Sequence, residues 1–78
     1  MKAIHKIVIN STAPEYLIHY INLNFVINVR GVRKIDDEWV FSYKSMGSTY
    51  EEISGHDKNE VERECDEFVI ALETYANS

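Results

Sequence analysis

The sequence predicts one small α+β domain, a two-layer arrangement in which an antiparallel sheet carries two helices on one face, in the order β-α-β-β-(β)-α. Three observations lead there. Apolar residues alternate over residues 25–35 and again over 39–43, the period of half-buried strands. Two segments open with a capping residue followed three places on by a glutamate, Thr12-Ala13-Pro14-Glu15 and Asp57-Lys58-Asn59-Glu60, the pattern that satisfies the free N–H groups at a helix start. The chain has 78 residues, 45% of them hydrophobic, with three Gly and one Pro, enough for one core and no second lobe.

Taken in order, residues 3–9 hold Ile4, Ile7, Val8 and Ile9 and end at the polar Asn10-Ser11-Thr12, a first strand and its stop. The first capping signature then opens a helix of about three turns with Leu17, Tyr20 and Ile21 on one face, fading near Asn22-Leu23-Asn24. The next run sets Phe25, Ile27, Val29 and Ile35 on one side of a strand, and Val26, Asn28, Arg30, Val32 and Lys34 on the other. In the strand after it, Trp39, Phe41 and Tyr43 lie opposite Val40, Ser42 and Lys44. A three-residue loop, Asp36-Asp37-Glu38, joins these runs as a hairpin pairing Ile35 with Trp39, Arg33 with Phe41, Gly31 with Tyr43 and Val29 with Ser45, which gathers the apolar sets on one face. A two-residue turn would set the aromatics against Arg30 and Lys34.

Residues 49–53 supply a short further strand carrying Tyr50. The second capping signature, after Gly55, opens the longest regular segment, a helix over residues 58–76. Val61, Cys65, Phe68, Leu72 and Tyr75 recur along it at helical spacing, one apolar stripe with Val69 and Ala76 at its margin.

A single cysteine, Cys65, permits no internal disulfide, and so small a secreted domain would need such staples, so the expected location is the reducing cytoplasm. The longest apolar run, Phe68-Val69-Ile70-Ala71-Leu72, is far below the roughly 20 residues of a membrane helix, and residues 1–10 contain no signal-peptide core. No membrane partner is expected.

Charge is distributed unevenly. Residues 51–78 carry nine acids against Lys58 and Arg63, a net −7, whereas residues 1–50 carry four acids against six bases, a net +2, for −5 overall. On a helical wheel Glu62, Asp66 and Glu73 flank one side of the apolar stripe, while Glu60, Glu64 and Glu67 flank the other. From Asp57 to Glu67 the helix rises about 15 Å and holds six acids against two bases, roughly one net charge per 4 Å, close to the ~3.4 Å per charge of a DNA strand. The acids of the first turn complement the helix dipole, but those at Glu67 and Glu73 lie beyond its reach. Ile70 projects into the same charged surface.

This pattern predicts a non-enzymatic protein–protein interaction module. Glu60, Glu62, Glu64, Asp66, Glu67, Ile70 and Glu73 would engage a Lys/Arg-lined groove of another protein, one that binds nucleic acid, and inhibit it by occupation. Small acidic inhibitors that mobile genetic elements direct at host nucleases act in this way, an analogy of mechanism only. Two alternatives stand beside it: a nucleic-acid-binding regulator using Arg30, Lys34 and Lys44 on the outer hairpin face, and a homodimeric structural subunit paired through a strand edge or the valine-bearing sheet face. Direct nucleic-acid binding is disfavoured because no aromatic is assigned to that basic face and the chain is acidic.

No enzyme chemistry is expected. Ser54-Gly55-His56-Asp57 reads as a turn into the helix, since a catalytic triad is assembled across a fold and not from neighbours in sequence. His5, His19, His56 and Cys65 lack metal-ligand spacing, so no metal or other cofactor is predicted, and Cys65 on the apolar stripe is expected to be a buried thiol.

Overall fold

Five strands and one long helix make up the computed structural model, which describes residues 3–11 and 17–77. β1 (Ile4–Ile9) pairs antiparallel with β2 (Leu17–Asn22), from Ile9 opposite Leu17 to Ile4 opposite Asn22. A single 3-10 turn, Leu23–Phe25, leads out of this hairpin, with the Asn22 side chain accepting the Asn24 N–H at 3.0 Å. β3 (Val26–Ile35), β4 (Glu38–Ser45) and β5 (Tyr50–Gly55) form a separate antiparallel sheet in that order. α1 (Lys58–Ala76) closes the described chain, its start capped by the Asp57 carboxylate on the Asn59 N–H at 3.0 Å.

The domain is therefore α+β with antiparallel sheets, but among the described residues it has one α-helix where two were expected. Leu17–Asn22 is a strand, and the capping signature proposed for it, residues 12–15, lies outside the described residues. The cause is an ambiguity of period: Leu17 and Ile21, four apart, share a face in a helix and in a strand alike. Ile18, Tyr20 and Ile21 favour the extended form, and pairing with β1 decides it. Leu17, His19 and Ile21 then turn inward while Ile18 and Tyr20 face out.

The hairpin of β3 and β4 also departs from expectation. Its turn holds two residues, with Asp36 at φ 54° and Ile35 opposite Glu38, Lys34 opposite Trp39 and Arg33 opposite Val40. Two irregularities then shift the register. One extra residue at Gly31-Val32 realigns Arg30 with Ser42 and Val29 with Tyr43, and another at Ile27 brings Val26 opposite Ser45. Each such bulge inverts the alternation of faces. Val26, Val29 and Val32 consequently pack on the core, whereas Phe25, Ile27 and Ile35, expected there, are exposed.

Phe68 joins the two sheets. It is fully buried, with its ring centroid 5.7 Å from His5 of β1, 6.3 Å from Phe41 and 5.7 Å from Tyr43 of β4. Around it Ile7, Ile9, Ile21, Phe41, Ile53 and Val61 are also buried, and Leu72 and Tyr75 of the expected stripe pack at the core margin. Among the described residues no helix is long and apolar enough to cross a membrane.

Candidate functional site

The helix presents two acidic populations that differ in environment. Glu60 and Glu64 turn inward beside Val61 and Cys65, with only 8% and 9% of their surface exposed. Glu60 Oε2 accepts the Asn10 N–H at 2.9 Å, Glu60 Oε1 accepts the Ser11 N–H at 3.0 Å, and Glu64 Oε1 accepts the Val8 N–H at 3.3 Å. The Val8 amide lies on the edge of β1 away from β2 and those of Asn10 and Ser11 just past the strand's end, so the two carboxylates take the place of carbonyls that a neighbouring strand would offer. Burial alone would raise the Glu60 pKa. Hydrogen bonds from the Ser11 hydroxyl and from the Asn10 and Ser11 amides, with the Arg63 charge, outweigh it and hold the carboxyl below its ordinary value.

Ser11 is central to this junction and was not singled out in the sequence. Its Oγ accepts the N–H groups of His56 and Asp57, each at 3.1 Å, while its hydroxyl serves Glu60. It thus ties the end of β1 to the start of α1.

The second population faces outward. Glu62 is half-buried at the rim, and Asp66, Glu67 and Glu73 are exposed around Ile70, itself 61% exposed. Residues 62, 66 and 73 form one row along the helix, and 63, 67 and 70 the next. Among the described residues the one ion pair the helix makes is Arg63 Nε to Glu64 Oε2, at 3.5 Å. Among the described residues Glu62, Asp66, Glu67 and Glu73 form no ion pair, and with Arg63 these four carry a net −3. Glu51 and Glu52 of β5 contrast with them. Glu51 Oε2 is 3.3 Å from His19 Nε2 and accepts the Tyr43 hydroxyl at 2.9 Å, and Glu52 pairs with Arg33 Nη2 at 3.2 Å. Burial, then the bond to and charge of Glu51, push the Tyr43 phenol well above its usual range.

The basic set of the outer sheet face is rearranged by the Gly31-Val32 bulge. Lys34 moves to the Trp39 side, its Nζ 5.8 Å from that ring, with Lys58 Nζ at 5.1 Å. Arg33 takes its place and is spent on Ser42 Oγ, at 3.0 Å, and on Glu52. Arg30 and Lys44 remain together on either side of Tyr50, whose ring lies 3.8 Å from the Arg30 guanidinium carbon and 5.8 Å from Lys44 Nζ. The face therefore does carry an aromatic. A hydrogen bond from Asn28 Nδ2 leads the causes that lower the Tyr50 phenol, opposed by partial desolvation and aided by Arg30 and Lys44. Register explains the cluster, since Asn28, Lys44 and Tyr50 are direct cross-strand neighbours.

A shallow cavity of about 370 Å³ lies by the β3–β4 turn, lined by Asp36, Asp37, Glu38, Glu52 and His56 among others, and it includes none of the site residues expected from the sequence. No family model matches the chain, and comparison with curated proteins and with solved structures likewise finds no match.

Proposed function

We propose that this chain is a cytoplasmic, non-enzymatic protein–protein interaction module, a small acidic inhibitor that occupies a Lys/Arg-lined, nucleic-acid-binding groove of another protein. The binding face comprises Glu62, Asp66, Glu67 and Glu73 around Ile70. One contrast supports this reading: Glu51, Glu52, Glu60 and Glu64 have internal partners, whereas these four carboxylates have no ion pair among the described residues. Exposed charges of one sign around a single apolar residue suit a partner of opposite sign, with the charges governing encounter rate and the apolar contact aiding retention.

The experiment is capture of the partner from the native cell, followed by competition with nucleic acid on the purified pair. The expected results are displacement by DNA or RNA, an affinity that falls at least about tenfold as salt rises from about 0.05 to 0.5 M, and loss of capture by the fourfold reversal Glu62→Lys, Asp66→Lys, Glu67→Lys and Glu73→Lys. Undiminished capture by that variant overturns the reading. The Arg30–Tyr50–Lys44 cluster favours one alternative, a nucleic-acid-binding regulator. Retention of the isolated chain on immobilised DNA or RNA, abolished by Tyr50→Ala with Arg30→Ala, would replace the first reading with that one.

A further inference from the structure

We propose that the outer edge of β2 pairs with the same edge of a second copy, antiparallel about a two-fold axis at His19, to form a four-stranded β1-β2-β2-β1 sheet. A strand edge is a row of unpaired backbone groups, and folded proteins normally guard it with charge, bulges or cover. The other edges here are guarded. Glu60 and Glu64 cap β1, two bulges break β3, and β5 bears Glu51 and Glu52 and abuts Ile9 and Ser11 at Gly55. β2, Leu-Ile-His-Tyr-Ile-Asn, has neither bulge, proline nor formally charged residue, and among the described residues no strand lies on its outer side.

The direction of its backbone groups follows from β1. Val8 and Asn10 point their N–H groups at the helix, away from β2, and Val8 stands opposite Ile18 and Lys6 opposite Tyr20. Ile18 and Tyr20 are therefore non-hydrogen-bonded positions of the β1–β2 ladder, and their N–H and C=O groups face the open edge. An antiparallel partner must bond to these two residues.

A second copy fits because the strand is self-complementary. With the axis at His19, Ile18 stands opposite the copy's Tyr20 and Leu17 opposite its Ile21, so every pair flanking the axis is apolar. The Ile18–Tyr20 pairs join a β-branched to an aromatic residue, among the favourable cross-strand combinations, and their side chains are 44% and 63% exposed in the single copy. Shifting the axis to Tyr20 would instead set Ile18 against Asn22. Charge agrees: α1 lies against the far side of β1 in each copy, so the acidic helix faces sit at opposite ends of the joined sheet, and Lys6 is the one formally charged residue of the two strands.

Sedimentation of the full chain from about 1 to 500 µM tests the pairing, at a range suited to a contact smaller than a standard interface. The expected result is a rise from 9.1 kDa toward twice that mass, unaffected by 0.5 M salt, which separates it from acidic-face capture. The variant Ile18→Lys with Tyr20→Lys, both at exposed sites, should stay folded by circular dichroism and remain monomeric. In a Cys65→Ser background, oxidation should cross-link the double variant Ile18→Cys/Tyr20→Cys and neither single variant. A monomer at about 500 µM, an undiminished dimer in the lysine variant, or cross-linking by either single cysteine overturns the proposal.

Discussion

Glu60 accepts the backbone N–H of Asn10 on its carboxylate at 2.9 Å, across 50 residues of chain. With the bond to Ser11 this makes a helix side chain part of the edge of β1. Charge-assisted bonds are among the stronger ones, and deleting the acceptor takes the partner from two part-buried amides. Glu60→Ala should therefore destabilise the fold by about 2–4 kcal/mol, which for a domain of this size lowers Tm by some 4–8 °C per kcal/mol. Glu60→Gln, which keeps one acceptor oxygen, should lose about half as much. A urea titration of the three proteins checks the order, and an alanine variant as stable as the parent would refute the edge-capping role.

The same contact predicts a pH dependence. The folded Glu60 carboxyl titrates below its ordinary value of 4.5, so its contribution is fully present above that value and is lost as pH falls through the lowered one. The stability gap between the parent and Glu60→Gln should be widest near neutrality and close progressively below about pH 4.5. Denaturant midpoints at several pH values measure it. A gap that widens on acidification would show the carboxyl to be raised instead.

Gly55 ends β5 where three elements converge. A β-carbon there would stand 2.6 Å from Ile9 Cγ2, 2.8 Å from Ser11 Oγ and 3.1 Å from Val61 Cγ2. Two of these neighbours are side chains of the buried core and the third is the hydroxyl that holds His56 and Asp57, so none moves freely. Gly55→Ala should cost about 1–3 kcal/mol by overpacking. Gly31→Ala, with no atom within 4 Å of the added carbon, serves as the control. Equal midpoints for the two variants would contradict the packing seen at Gly55.

The β3–β4 turn offers a stabilising change. Asp36 sits at φ 54°, a region that costs a residue with a β-carbon about 1–2 kcal/mol. Glycine enters it without that cost but gains freedom in the unfolded chain. Asp36→Gly should therefore raise stability by up to about 1 kcal/mol, and Asp36→Val should lower it by a similar amount. Calorimetry of both variants decides whether this turn is strained.

How much of this was legible depends on how local each signal is. α1 was readable end to end, because its cap and its stripe lie within one segment and the period repeats over five turns. β2 was not, because four-residue spacing fits both regular structures and the deciding partner is β1. The hairpin register departs first at the turn, which closes on Asp36 and Asp37 alone and pairs Ile35 with Glu38, and again at Gly31-Val32, where an extra residue resets the alternation that a period-two reading assumes and the lone glycine of that strand was the available hint. At the site, a helical wheel gives the angle of Glu60 and Glu64 but not what lies there. That β1 would offer them bare amides followed only from the pairing of its other edge, so the acidic surface is narrower than composition suggested.

Cys65 lies on the inner face of α1, 6% exposed. Burial first, and the neighbouring Asp66 charge second, raise its thiol above the ordinary value. The thiolate is the reactive form, so both its scarcity and its inaccessibility slow attack. At pH 8 the folded chain should react with an aromatic disulfide reagent at least ~10-fold more slowly than the urea-unfolded chain, with a rate that tracks opening of the helix. Glu60→Ala, which unties that helix from β1, should speed the reaction at pH 8 while Asp36→Gly slows it. Equal rates in folded and unfolded protein would place the thiol at the surface, which the packing of Cys65 in the core beside Val61 and Phe68 does not allow.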